Sequence, residues 1–183
     1  MKNFRTKLLA GLALIFLTLG CSNVKSEKRI FHRLADQETV SIYLSKYDLD
    51  SVPPAIGDLA KVRRLSITKD STSGWNIYPP LSAFRLWIER PPFRHLPAEI
   101  TKLKTLRKLD LVYLDLVDLP DDFDSLQNLD SLDLSLNKLT IANEVDVING
   151  LRRLKYLALF GNKVDTADVV KLKQVNPNLV VVF

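Results

Sequence analysis

Leu106-Arg107-Lys108-Leu109-Asp110-Leu111-Val112-Tyr113-Leu114-Asp115-Leu116-Val117-Asp118-Leu119-Pro120 decides how this chain folds. Leu109 and Leu111 alternate with Asp110, as a strand with one buried face requires. The apolar series continues through Phe123, Leu126 and Leu129 at wider spacing. The same order then returns as Leu132, Leu134, Asn137 and Leu139, and again as Leu154, Leu157, Leu159, Asn162 and Val164. The anchors Leu109, Leu132 and Leu157 lie 23 and 25 residues apart. Stepping backwards reaches Leu86 and Ile88 with Phe93, Leu96-Pro97, Ile100 and Leu103, then Leu65-Ser66-Ile67. Before these come Ile42-Tyr43-Leu44, Leu49, Val52-Pro53, Ile56, Leu59 and Val62. Six strand-bearing units therefore begin near residues 42, 65, 86, 109, 132 and 157, with a closing strand expected at Leu179–Phe183. A leucine-rich helix would space its apolar residues by three and four but would lack this longer period.

The pattern resembles the leucine-rich-repeat family, with its L-x-x-L-x-L-x-x-N-x-L core and its L-P-x-x-[IF]-x-x-L return, over roughly residues 40 to 183. The resemblance implies an α/β solenoid, a horseshoe with a parallel concave sheet of about six to seven strands. Short helices or turns would lie on the convex side. One unit cannot bury its leucines alone, so the units fold as a stack. Asn137 and Asn162 hold the asparagine place, where an amide can bond the backbone of neighbouring units. Tyr47, Asp70, Pro91 and Leu114 stand in its equivalents, so the amide ladder is incomplete. The unit from Leu65 to Arg85 is degenerate, with Trp75, Tyr78 and Pro79-Pro80 in place of the usual return. Either Phe84 or Leu86 could anchor the strand after it. Ile30, Phe31 and Leu34 have the spacing of an N-terminal cap helix. Asp165 or Thr166 can start a second helix carrying Val169, Val170 and Leu172, which Asn176-Pro177 ends.

The chain begins differently. Lys2, Arg5 and Lys7 precede an apolar or small run, Leu8–Leu19, that is too short to cross a bilayer but suits a secretory leader. Leu17-Thr18-Leu19-Gly20-Cys21 resembles the lipobox of bacterial lipoproteins, although Thr18 stands where leucine is usual. This divides the chain into a signal peptide at 1–20, a lipidated Cys21 with a tether through 29, and a repeat domain at 30–183 with a cap helix. The resemblance implies a bacterial envelope protein held on a membrane, the outer membrane or cell surface, by acyl chains on Cys21. The other reading is an ordinary leader that leaves a free thiol. Removing the leader lowers the formal net charge from +5 to +2, which gives little support to nucleic-acid binding.

In this family the exposed strand positions usually carry recognition. Carried over, they form four columns: Ser41, Arg64, Arg85, Lys108, Ser131 and Tyr156; then Tyr43, Ser66, Trp87, Asp110, Asp133 and Ala158. The third column is Ser45, Thr68, Glu89, Val112, Ser135 and Phe160, and the fourth is Lys46, Lys69, Arg90, Tyr113, Leu136 and Gly161. Trp87, Tyr113, Tyr156, Phe160, Val112 and Leu136 are apolar or aromatic at positions expected to face water. Such residues, with arginine, dominate binding hot spots. They could equally cover one another across the sheet. A protein ligand suits this broad face best. Contacts are expected from Tyr43, Arg64, Arg85, Trp87, Glu89, Arg90, Asp110, Tyr113, Asp133, Leu136, Tyr156 and Phe160. The alternative is an anionic glycan or lipid headgroup on the basic half, Lys46, Arg64, Lys69, Arg85 and Arg90.

Chemistry finds little purchase. His32 and His95 read as surface residues, and no phosphate loop, His-Glu-x-x-His motif or cysteine pair occurs. No cofactor or metal is expected and the chain does not read as an enzyme. Asp110 and Asp133 share a column, so their carboxylates should lie about 5 Å apart. That separation could serve a retaining hydrolase or a cation, and it is a minor alternative.

Overall fold

The computed structural model describes residues 30–47, 49, 51–69 and 94–183. The leader, Cys21 and the tether lie outside them. Six strands form one sheet: β1 Thr39–Tyr43, β2 Arg64–Thr68, β3 Lys108–Val112, β4 Ser131–Asp133, β5 Tyr156–Ala158 and β6 Val180–Val182. Their spatial order is their chain order and every pairing is parallel. Each strand therefore needs a return across the thickness of the molecule before the next one can start.

The leucine period sets the register. Val40, Leu65, Leu109, Leu132, Leu157 and Val181 stand side by side across the sheet. The first five are at most 2 % exposed. Behind the sheet, Val62, Leu106, Leu129, Leu154 and Leu179 recur at the end of each return and are buried too. Fully burying one such leucine contributes about 1.5–3 kcal/mol, so the stacked rows supply most of the driving force. The returns are short. Pro53, Pro97 and Pro120 each precede a 3₁₀ turn, at Pro54–Asp58, Ala98–Lys102 and Asp121–Ser125. Proline presets the backbone for the turn and lacks the N–H that would have no partner there. Each turn drops one apolar side chain inward: Ile56, Ile100 or Phe123.

Two later returns are α-helices, α1 Ile141–Asn149 and α2 Thr166–Val175. In α1 the buried residues Ile141, Glu144, Val145 and Ile148 follow helical spacing. Gly150 follows it, and a β-carbon there would meet Asp124 Cβ at 2.4 Å, so only glycine lets the helix end pack against the preceding 3₁₀ turn. The caps expected from sequence are present. Residues 30–34 are helical with Phe31 buried. Asp165 caps α2, and its N–H donates to Asp168 Oδ2 at 3.1 Å, the return half of a capping box. Val169 and Leu172 face inward as expected, whereas Val170 is 50 % exposed.

Two sequence assignments are corrected. The first is a slip in β1. Ile42 was expected to align with Leu65, but Val40 does so, and Ile42 stands beside Ile67. Val40, Ile42 and Leu44 alternate, so a shift of two residues keeps every apolar side chain inward and sequence alone cannot choose. Thr39 and Val40 extend the strand, and Leu44–Tyr47 turns away as a 3₁₀ segment with Leu44 inward. Ser41 thus lies beside Ser66 and Tyr43 beside Thr68. Ser45, rather than Tyr47, falls in line with the asparagine place.

The second correction concerns the unit near residue 86. Its residues lie outside the described ones, but β2 pairs directly with β3, Leu65 beside Leu109 and Ile67 beside Leu111. No slot remains between them for a strand. Leu65 and Leu109 are 44 residues apart, nearly two periods, and that spacing suggested an intervening unit. Arg85, Trp87, Glu89 and Arg90 lie outside the described residues.

Candidate binding face

The corrected register builds the outward face of the sheet. Its first column is Thr39, Arg64, Lys108, Ser131, Tyr156 and Val180, and its second is Ser41, Ser66, Asp110, Asp133, Ala158 and Val182. Past the strand ends the ladder continues. Tyr113 N–H donates to the Ser135 carbonyl at 3.1 Å, and Leu136 N–H to the Phe160 carbonyl at 2.6 Å. This brings Leu136 and Phe160 onto adjacent turns of chain.

Of the expected contact residues, Phe160 is 62 % exposed, Tyr156 40 % and Leu136 39 %. Tyr43 and Tyr113 are half-buried. Lys69 places its ammonium 5.5 Å from the centre of the Tyr113 ring, and this cation–π contact occupies one face of that ring. Lys69 itself is only 4 % exposed and faces Asp115 Oδ2 at 4.0 Å. It is engaged within the fold and is not available to a ligand as the basic half of the face required. Asp115 is shared, with Lys138 Nζ at 3.0 Å from its other oxygen.

Backbone geometry marks the ends of β3, β4 and β5 in a way the sequence did not reveal. Tyr113, Leu136 and Gly161 occupy equivalent places and have φ of 59°, 58° and 79°. For the two non-glycine residues this left-handed conformation costs roughly 1–2 kcal/mol each. Gly161 leaves room for its neighbour, since a β-carbon there would lie 3.0 Å from Leu136 Cδ2.

The asparagine place behaves as expected. Asn137 Oδ1 accepts from Leu114 N–H at 2.9 Å and Leu116 N–H at 3.2 Å. Its Nδ2 donates to the carbonyls of Leu111 at 2.7 Å and Leu134 at 2.8 Å. Asn162 repeats part of this, accepting from Leu139 N–H at 3.1 Å and donating to the Leu134 and Leu159 carbonyls. Leu114 fills the same place one repeat earlier and is fully buried without an amide.

Asp110 and Asp133 stand side by side in β3 and β4, as the column predicted. Each has its own partner. Lys108 Nζ lies 3.3 Å from Asp110 Oδ2, and Asp133 Oδ1 accepts from Ser135 N–H at 2.9 Å. Burial pushes the Asp110 carboxyl above the usual carboxylate range; Lys108 pulls it back and Asp133 adds to the rise. His95 Nδ1 is 2.8 Å from Asp118 Oδ1 at the surface. No group of three His, Cys, Asp or Glu among the described residues could hold a metal ion.

The fold is that of a leucine-rich-repeat solenoid, and the leucine-rich-repeat family model matches residues 99–164. No catalytic family is indicated. Comparison with curated proteins finds no significant match. Among solved structures, an LRR protein of Leptospira interrogans is 24 % identical over 74 % of this chain and 34 % of its own, with a TM-score of 0.47. An internalin of Listeria monocytogenes is 18 % identical over 73 % of this chain and 34 % of its own, at 0.49. The LRR ectodomain of a receptor kinase from Arabidopsis thaliana is 23 % identical over 73 % of this chain and 61 % of its own, at 0.46. The chain spans about a third of the length of the first two.

Proposed function

We propose that the chain is a binding module that holds a protein partner against the outward face of its parallel sheet, with Tyr156, Phe160 and Leu136 as the anchoring side chains. A single observation carries this reading. Leu136 keeps an apolar, exposed side chain at a left-handed backbone position that glycine fills one repeat later. Folding gains little from that arrangement. Strain retained at an exposed apolar position marks a place where the side chain serves something beyond the fold. Phe160, on the adjacent turn, extends the same apolar surface.

The test separates stability from binding. Leu136→Gly relieves the left-handed strain while giving up packing of a partly exposed side chain and some chain entropy. Its urea midpoint should stay within about 1 kcal/mol of the parent. Quantitative cross-linking in envelope extracts should meanwhile show the partners captured by the parent falling by about tenfold, and Phe160→Ser should lose the same partners. Undiminished capture by both variants would remove this face as the binding surface.

The same proposal places the module in a bacterial envelope, tethered through a lipidated Cys21. The support is the charged start, the apolar run and Gly20-Cys21. Two or three acyl chains, at about 0.8 kcal/mol per buried CH₂, hold a protein stably on a membrane. Labelled palmitate should enter the parent chain and not Cys21→Ser. An unlabelled parent would refute the anchor and leave the binding face untouched.

A further inference from the structure

A second surface lies at the strand starts, opposite the apolar end. Two residues before each anchor, Arg63, Arg107, Asp130 and Lys155 form a row joined by backbone hydrogen bonds of 2.7–2.9 Å. Beside them stand Arg64 and Lys108 of the first column. Arg63, Arg64, Arg107 and Lys108 line a cavity of about 330 Å³, with Glu38 and Asp130 as its carboxylates. These four cations meet only because β2 adjoins β3.

Each of the cavity's carboxylates pairs with one of the cations. Asp130 Oδ2 faces Arg107 Nη1 at 3.2 Å, and Glu38 Oε1 faces Arg63 Nε at 3.7 Å. Asp130 Oδ1 accepts no hydrogen bond; Arg153 and Lys155 approach it from outside at 3.9 and 4.0 Å. Lys108 is steadied by Asp110, which does not line the cavity. Arg64 has no carboxylate partner among the described residues. Glu38, Asp130 and the Asp110 bound to Lys108 offset three of the four cations and leave Arg64 as the positive charge in excess among the described residues. Guanidinium forks match tetrahedral oxyanions in shape as well as charge.

We infer that this cavity binds a tetrahedral oxyanion, a phosphate or sulfate group, with Arg64, unpaired among the described residues, as its main contact and Arg107 held ready by Asp130. A carboxylate, planar and with two oxygens, engages one guanidinium fork at a time, whereas a tetrahedral oxyanion can engage two. The site is distinct from the apolar end of the sheet and does not depend on it.

Titrating the full chain at low ionic strength with inorganic phosphate, sulfate and acetate tests the inference. Phosphate or sulfate should bind saturably, with acetate at least about tenfold weaker, and added chloride should weaken binding by screening. Whichever dianion binds tighter names the source of the group. Arg64→Gln removes one charge-assisted contact and should weaken binding about tenfold. That side chain is exposed and has no carboxylate partner among the described residues, so the variant keeps its fold. Lys61→Gln removes the same charge at the Asp36 ion pair, outside the lining, and should leave affinity unchanged. Equal losses in both variants would reduce the effect to overall charge and overturn the site. So would acetate binding as tightly as phosphate, or no saturation by either dianion.

Discussion

Replacing Asn137 with Ala is expected to destabilise the chain by about 3–5 kcal/mol. The amide serves two N–H groups and two carbonyls from its own turn of chain and the one before it, and the residue is only 5 % exposed. Alanine leaves all four backbone groups buried. Each costs about 1–3 kcal/mol when unsatisfied, and partial relaxation keeps the sum below full additivity. Because repeats couple only to their neighbours, the damage centres on β3 and β4, in the middle of the sheet. Asn162→Ala should cost less, since that side chain is half-buried and makes three such bonds. A urea midpoint shift at unchanged slope reads both. A loss below about 1 kcal/mol at Asn137 would mean that water reaches the amide and that the turns are not packed as described.

The fold was legible because leucine and asparagine have narrow roles in it. Leu109, Leu132 and Leu157 recur in phase, and only a stack of equivalent turns gives them one interior. Asn137 and Asn162 were readable because an amide can replace backbone partners at a turn. Proline before Pro54–Asp58, Ala98–Lys102 and Asp121–Ser125 marked the returns. Two features resisted. In β1, alternation at Val40, Ile42 and Leu44 is symmetric under a shift of two, so face was readable and register was not. Near residue 86, the 44 residues from Leu65 to Leu109 come close to two periods, and counting could not tell whether a strand stands between them.

The binding face was legible in part. Tyr156, Phe160 and Leu136 stand exposed where the columns put them. Lys69 did not, because its neighbours Asp115 and Tyr113 draw it inward through contacts that cross repeats. Backbone strain at Tyr113 and Leu136 leaves no mark in residue type; only glycine at 161 hinted at it. The cationic row was available in principle. Arg63, Arg107, Asp130 and Lys155 share one phase of the period, two residues ahead of the anchors. Those positions lie ahead of the alternating strand residues that define the exposed face.

Direct contact between β2 and β3 brings the four cations together, and a cross-link reads it. Ser66 and Asp110 are register partners on the outward face. Adjacent strands lie about 4.8 Å apart, inside the range that a disulfide spans. With Cys21 replaced by Ser, the pair Ser66→Cys and Asp110→Cys should oxidise readily. Closing a loop of that length should stabilise the chain by up to about 4 kcal/mol. If a strand stood between them, the separation would be near 10 Å and no bridge could form without unfolding. Rapid oxidation with a raised urea midpoint is the predicted result. Two thiols that stay reduced in the folded chain would contradict the stacking on which the rest depends.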